Sequence, residues 1–334
     1  MKIPFLRSTL AATAAVGLTM GLAACSGDGN GEGTGAGGDG DAVKIVASTK
    51  VWADVAGAVI GDAPGVEIEP IIASNDLDPH SYQPTAADMA AVEQADVLVA
   101  GGGHYDAWLT EAASSNTDAI VLTALDEHEG EGGHEHNHEH EHEHEGEGEG
   151  ADHEHEGADH DHAEHNHDHG DHEVNEHIWY NIDAVKSLAS ELESEVNEHW
   201  DLGASDDDVV KRLDEIADRK SDLPSATTAQ THPLADDILA GTKITDDTPE
   251  GYRNSTLNES EPSAADVAAM LELIESGNLD YLIDAPQTRD HVSERLMKAA
   301  QAKGLRVINV YESPGANENF FDLYDRILDD LEQE

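Results

Sequence analysis

The chain has 334 residues, with 72 Asp and Glu against 17 Lys and Arg, a formal net charge of −55 and one cysteine. So few cations exclude nucleic acid as a partner, because phosphate contacts need Lys and Arg, and a lone cysteine excludes an internal disulfide. A charge of this size favours solubility and draws cations; outside the acidic window described below it reads equally well as a salt-adapted surface.

Lys2 and Arg7 precede the apolar run "LAATAAVGLTMGLAA" and then Cys25. The run is too short and too small-residued for a good membrane span and reads as a secretory signal over residues 1–24. "LAAC" resembles a bacterial lipobox, which makes Cys25 the lipidated first residue of the mature protein and the membrane its partner through acyl chains. An ordinary signal with an incidental cysteine is the plainer alternative. Residues 25–41, "CSGDGNGEGTGAGGDGD", are too glycine-rich to build an element and read as a tether.

From Ala42 onward short apolar runs alternate with helical patterns. "VKIVAST", "VEIEPII", "ADVLVAGG" and "DAIVLTA" read as strands, with helices over 51–60, from Thr85, and around "YDAWLTEAA". Strands separated by helices of about 10–15 residues argue for parallel βαβ units. Residues 126–173 then interrupt the pattern with 20 carboxylates and no Lys or Arg. Helix resumes in "DAVKSLASELESEVNEHW" and "DDDVVKRLDEIADRKSDL", where apolar residues recur at three- and four-residue spacing. A second α/β region follows, with strands "SATTAQ", "LDYLIDA" and "LRVINVY" and helices over 262–275, 290–303 and 317–331. The fold class is α/β, in two βα lobes with parallel sheets and a ligand cleft between them, near the carboxyl ends of the strands.

Four metal-ligating side chains fall in loops beside these elements. His80 follows the second strand in "DLDPHSYQPTAADM", and His177 precedes a helix in "NEHIWYNIDAV". His232 follows "SATTAQ" in "THPLADDIL", and Glu312 follows "VINV" in "YESPG". Three imidazoles and a carboxylate make a tetrahedral zinc shell, with bonds of about 2.0–2.2 Å. Each has a plainer reading: a polar loop residue for His80, the last solvated member of the charged window for His177, a helix N-cap neighbour for His232 and an ordinary exposed acid for Glu312. Glu318 and a water molecule are rivals for the fourth position. His104 reads as a cleft-edge residue, and Asp106 and Trp108 as packing or outer-shell residues.

The segments "DPHSYQPTAADM", "ADVLVAGGGHYDAWL" and "NEHIWYNIDAV", with the histidine of "THP", resemble the TroA-like and ZnuA-like solute-binding lipoproteins of bacterial ABC metal importers. The resemblance runs from Ala42 to the C-terminal helix. It implies two βα lobes bridged by a long helix, a buried metal between them, and a cognate ABC permease as partner. The bounds that follow are 42–203 for the N-terminal lobe, including the loop at 126–173, 204–221 for the connecting helix, and 222–334 for the C-terminal lobe. A His-rich acidic insertion before the second ligand is what the zinc-specific branch carries. Two departures stand out: the surroundings of His232 lack aromatic neighbours expected of a close zinc-importing relative, and the cysteine pair of some zinc-specific members is absent.

The charged window holds His134, His136, His138, His140, His142, His144, His153, His155, His160, His162, His165, His167, His169 and His172. Its composition cannot bury enough apolar area to fold and reads as a long mobile loop. Its imidazoles suit zinc, copper and nickel, and its carboxylates concentrate cations. It reads as an auxiliary site for low-specificity zinc capture, against the plainer reading of a solvated insertion without a role. The expected function is a monomeric, extracytoplasmic Zn²⁺ receptor, zinc being the transported ligand and not a catalytic cofactor. The alternatives are a manganese or iron receptor of the same fold, which favours harder carboxylate ligands, and a surface zinc buffer or adhesin without a transporter. A zinc hydrolase, with Glu176 as base, is disfavoured because neither HExxH nor GxSxG occurs.

Overall fold

The computed structural model describes residues 42–75, 77–125 and 175–333. The segments expected to be a signal peptide and a tether, with Cys25, and the His-rich window lie outside these described residues.

The first sheet is built from β1 (Val43–Thr49), β2 (Val66–Ile72), β3 (Val97–Ala100) and β4 (Ile120–Thr123), with α1 (Lys50–Ile60), α2 (Ala86–Glu93) and α3 (Ala107–Ala113) between them. The strand order is β2-β1-β3-β4 and every pair is parallel. Central strands are covered on both faces, so β1 and β3 read as nearly unbroken apolar runs. The edge strand β2 alternates with Glu67 and Glu69 turned outward, and it tolerates Pro70 because an edge strand can spare a ladder N–H. Thr85 and Asp88 cap α2 reciprocally, which fixes where the helix starts after the "HSYQP" loop.

The second sheet repeats the arrangement with β5 (Ala226–Gln230), β6 (Ile244–Asp246), β7 (Tyr281–Asp284) and β8 (Arg306–Asn309), in the parallel order β6-β5-β7-β8. Around it lie α6 (Asp236–Leu239), α7 (Glu250–Leu257), α8 (Ala264–Ser276), α9 (His291–Lys303) and α10 (Phe320–Glu332). The sequence pattern gives three strands here and the structure has four. The extra strand, β6, is three residues long with only Ile244 buried, too short to show a period of two. The helices α6 and α7 are also additions; α7, "EGYRNSTL", buries only Tyr252 and carries Gly, Asn and Thr, weak helix formers.

Two helices lie between the sheets in sequence, α4 (Ile182–Trp200) and α5 (Asp207–Asp222). Val185, Leu188, Ala189, Leu192 and Val196 form the buried stripe of α4, and Val209, Leu213 and Ile216 that of α5. The entry to α5 is held by Ser205 N–H donating to the Val59 carbonyl of α1, and its last turn by Lys220 Nζ donating to the Asp237 carbonyl of α6. Arg212 and Arg219 pair with Asp325, and Arg219 also with Asp329, along α10. One apolar core runs through α1, α4, α5 and α10 beneath both sheets, and each sheet has a smaller cluster on its outer face. Leu213 is wholly buried in the shared core; cutting it to alanine would cost about 2–5 kcal/mol. Among the described residues no helix is long and apolar enough to cross a membrane.

Candidate metal centre

The three histidines singled out in the sequence sit in, or at the start of, short 3₁₀ turns, and Glu312 lies in a bend after the last strand. His80 lies in a 3₁₀ turn, Pro79–Ser81, whose start is capped by the Asp78 carboxylate accepting from His80 N–H. His177 occupies the N-cap position of the turn Ile178–Tyr180, and His232 that of the turn Pro233–Ala235; neither ring is used as a cap. Glu312 follows β8 and is buried, as is His177. The plainer readings as a solvated histidine and an exposed acid therefore do not apply.

The four converge. His177 Nε2 lies 3.2 Å from His80 Nε2 and 3.1 Å from His232 Nε2. Glu312 Oε1 lies 3.4 Å from His80 Nε2, and one ligand atom from each residue falls within 4.8 Å of all the others. A tetrahedron of ligands bonded to zinc at about 2.0–2.1 Å has edges of about 3.3 Å. Glu312 Oε1 is buried and faces the His80 ring, so the cluster supplies the positive partner that a buried carboxylate needs.

Orientation of His177, His80 and Glu312 comes from the far atom of each side chain. His177 Nδ1 is 2.6 Å from Asn175 Oδ1, so the proton on Nδ1 donates to the amide oxygen and leaves Nε2 with its lone pair toward the cluster. Asn175 Nδ2 donates to the Pro233 carbonyl and to Asp236, which anchors it to the second lobe. His80 Nδ1 is 2.5 Å from Glu259 Oε1. Glu312 Oε2 accepts from Tyr105 Oη at 3.0 Å, and Glu312 N–H donates to Gln287 Oε1. Tyr105 is set by the run "GGGHY". Gly102 and Gly103 have φ of +91° and +66°, and a Cβ on Gly103 would lie 2.8 Å from the Glu176 side chain. Glu176 can therefore approach and accept from the N–H groups of His104 and Tyr105.

The three imidazoles carry different charge. Burial pulls the His80 ring toward the neutral form, but hydrogen bonds and attraction from Glu259 and Glu312 outweigh it and push its pKa up to about 10. His232 is pushed down to about 3 by burial and then by the neighbouring charge of His80. His177 is held well below the usual range by burial and by the other two rings. Two neutral imidazoles and one that can surrender a proton to a metal are the ionisation states ligation needs.

A family model for ZnuA, "zinc-uptake complex component A periplasmic", matches residues 45–334. The chain belongs to the ZnuA family. It is thus a metal-binding, periplasmic-type solute-binding protein of an uptake system, and the family is one of transport components, not enzymes. Solved structures with this fold include the periplasmic zinc-binding protein TroA from Treponema pallidum, 14% identical with a TM-score of 0.60, the match covering 87% of this chain and 98% of that one. A zinc-bound ZnuA deletion mutant is 17% identical with a TM-score of 0.58, covering 87% and 96%. The Mn²⁺ complex of FpvC, a solute-binding protein from Pseudomonas aeruginosa, is 15% identical, also at 0.58, covering 87% and 96%. These neighbours hold different metals, so the ZnuA fold by itself does not choose the ion.

The remaining residues fall outside the cluster. Glu318 is paired with Arg326 and accepts from Gly315 N–H, and it is not among the four converging residues. Glu176, the one tempting base for a hydrolase, is occupied by the His104 and Tyr105 amides and the His104 ring. The His104 side chain is fully exposed at the rim. Asp106 accepts from the N–H groups of Gly101 and Gly102 and shapes the glycine turn; Trp108 packs near Tyr82, 5.8 Å between ring centroids. The residues that sequence reasoning missed are Asn175, Tyr105, Gln287 and Glu259. Asn175, two residues before His177, was the one with a local signal.

Proposed function

We propose that this chain is the zinc receptor of an ABC importer. In this reading His80, His177, His232 and Glu312 hold one Zn²⁺ between the lobes, and a membrane permease receives it. The observation that carries the reading is the convergence of three imidazole Nε2 atoms and a buried carboxylate oxygen, with neighbouring edges of 3.1–3.4 Å. Three nitrogens and one oxygen favour zinc; a manganese or iron receptor would favour a second carboxylate in place of an imidazole. Lipidation at Cys25 would tether the protein at the membrane, and the window at 126–173 would gather zinc for the tight site. The surface buffer or adhesin alternative shares the site but lacks a permease.

The test is competition for the metal against a chelator, with Zn²⁺ and Mn²⁺ in parallel, followed by metal analysis of the native protein by mass spectrometry. One tight zinc equivalent that manganese does not displace at equal concentration supports the assignment. Preference for manganese would overturn zinc as the cargo while leaving the site in place.

A further inference from the structure

Glu259 differs from the other groups around the cluster. It sits in the loop between α7 and α8, on the second lobe, yet its carboxylate is 2.5 Å from Nδ1 of His80, which belongs to the first. Its side chain is 58% exposed, whereas the His80 ring it reaches is only 10% exposed. Its φ is +48°, and it is one of two non-glycine residues with positive φ among the described residues. Left-handed backbone is unfavourable for a side chain such as Glu and persists where surrounding contacts hold it.

The helix before it is tied to the same site at two further points. Tyr252 Oη donates to the Thr231 carbonyl, next to His232. Arg253 pairs with Asp236, which accepts from Asn175, which in turn accepts from His177 Nδ1. A cavity of about 390 Å³ opens at the site, its lining including His80, His232, Glu259, Glu261 and Asp290.

Resting on the zinc-site reading above, we propose that Glu259 is a positioning residue for the metal. It holds the Nδ1–H of His80 across the cleft, fixes the tautomer that presents Nε2 to the ion, and slows the ion's release toward the cavity. The carboxylate touches the ligand and not the ion, so its effect passes through the orientation and basicity of His80. Arg253 and Tyr252 hold the helix from which it reaches. Glu259 thus makes the first lobe's ligand depend on the second lobe's approach.

The experiment uses the purified full-length chain with Glu259→Ala, Glu259→Gly and Glu259→Gln, and His177→Ala as control. Zinc affinity is read by chelator competition, which reports the tight site alone, and release by the rate of transfer to excess chelator. Glu259→Ala and Glu259→Gly should each weaken zinc by about 10- to 100-fold and speed release. Glycine relaxes the left-handed backbone, so a loss in Glu259→Gly cannot come from strain. Glu259→Gln, which keeps an acceptor oxygen, should recover most of the affinity. In long-range ¹H–¹⁵N spectra of the zinc-loaded protein, the His80 Nδ1 resonance should move in Glu259→Ala and largely return in Glu259→Gln. Wild-type affinity and release in both Glu259→Ala and Glu259→Gly would overturn the proposal, as would an unmoved His80 resonance. If His177→Ala also binds like wild type, the zinc-site reading itself has failed; if only His177→Ala loses zinc, the role of Glu259 alone has.

Discussion

The two sheets share one plan, β2-β1-β3-β4 and β6-β5-β7-β8, but they serve the proposed metal centre differently. The first lobe contributes two imidazoles, and each is braced on its far nitrogen through the second: His80 by Glu259, and His177 through Asn175, which is tied to Asp236 and the Pro233 carbonyl. The second lobe contributes His232 and a carboxylate, and that carboxylate is braced by Tyr105 of the first. Bracing therefore crosses the cleft in both directions. The fold is doubled and the site is not, so neither lobe can present a finished half-site.

The largest effect expected from this comparison comes from removing one ligand on each side. His177→Ala and His232→Ala should each weaken zinc by several kcal/mol, on the order of a thousand-fold or more, because a tetrahedral shell loses much of its binding with any one donor. Chelator competition measures both. Wild-type affinity in either variant would mean that the residue removed is not a ligand, and the four-donor centre would be wrong.

Next in size is the brace on Glu312. Tyr105→Phe removes the hydroxyl that donates to Oε2 while keeping the ring that packs 5.0 Å from Trp179. A hydrogen bond to a charged group is worth about 1.5–3 kcal/mol, so the variant should bind zinc roughly 10- to 100-fold more weakly at unchanged fold. The same titration on a variant with native circular dichroism checks it, and an unchanged affinity would make Tyr105 a packing residue only.

The lobes' own architecture was legible in the chain because it is written locally. Seven of the eight strands among the described residues, and the helices α1 to α5 and α8 to α10, announce themselves by apolar runs and three- and four-residue spacing, whereas β6 is too short and α7 too polar to do so. The four converging residues could be read because each stands in a loop beside a recognisable element. Their braces could not: Glu259 and His80 are 179 residues apart, and Tyr105 and Glu312 are 207. No period links such pairs, and Glu259 stands in "LNESEPS" as an acid among many. The exception is Asn175, whose side chain reaches only two residues along.

The charge states offer a sharper probe of the same asymmetry. In the unfolded chain all three histidines titrate near 6.5. Folded and metal-free, His80 keeps its proton to about 10, while His232 loses its own near 3 and His177 is also held neutral. Between about pH 3 and 6.5 the unfolded chain binds more protons at these sites, so stability rises with pH. Between about 6.5 and 10 the folded state holds one more, so the stabilising part from His80 is lost as pH climbs. These three groups together place a maximum near pH 6.5. Urea midpoints of the chelator-stripped protein from pH 5 to 9 should show the upper decline, and His80→Ala should flatten it. A decline of equal slope in His80→Ala would place the proton elsewhere.

The smallest effect on the tight site is expected from removing the window at 126–173. It lies outside the described residues, and His80, His177, His232 and Glu312 all lie outside the window. Deletion should remove several weak metal equivalents, and these should fade as pH falls through the imidazole range near 6.5, since protonated rings do not ligate. The tight equivalent should remain, because its donors and the braces Glu259, Asn175 and Tyr105 are all retained. The deletion also sharpens the comparison of the lobes: the window joins β4 to the turn bearing His177, so shortening it tests whether Asn175 alone sets that ring's heading. Calorimetric titration of both proteins at neutral and mildly acidic pH separates the two classes of site. Loss of the tight equivalent on deletion would make the window itself the primary site and would overturn the centre between the lobes.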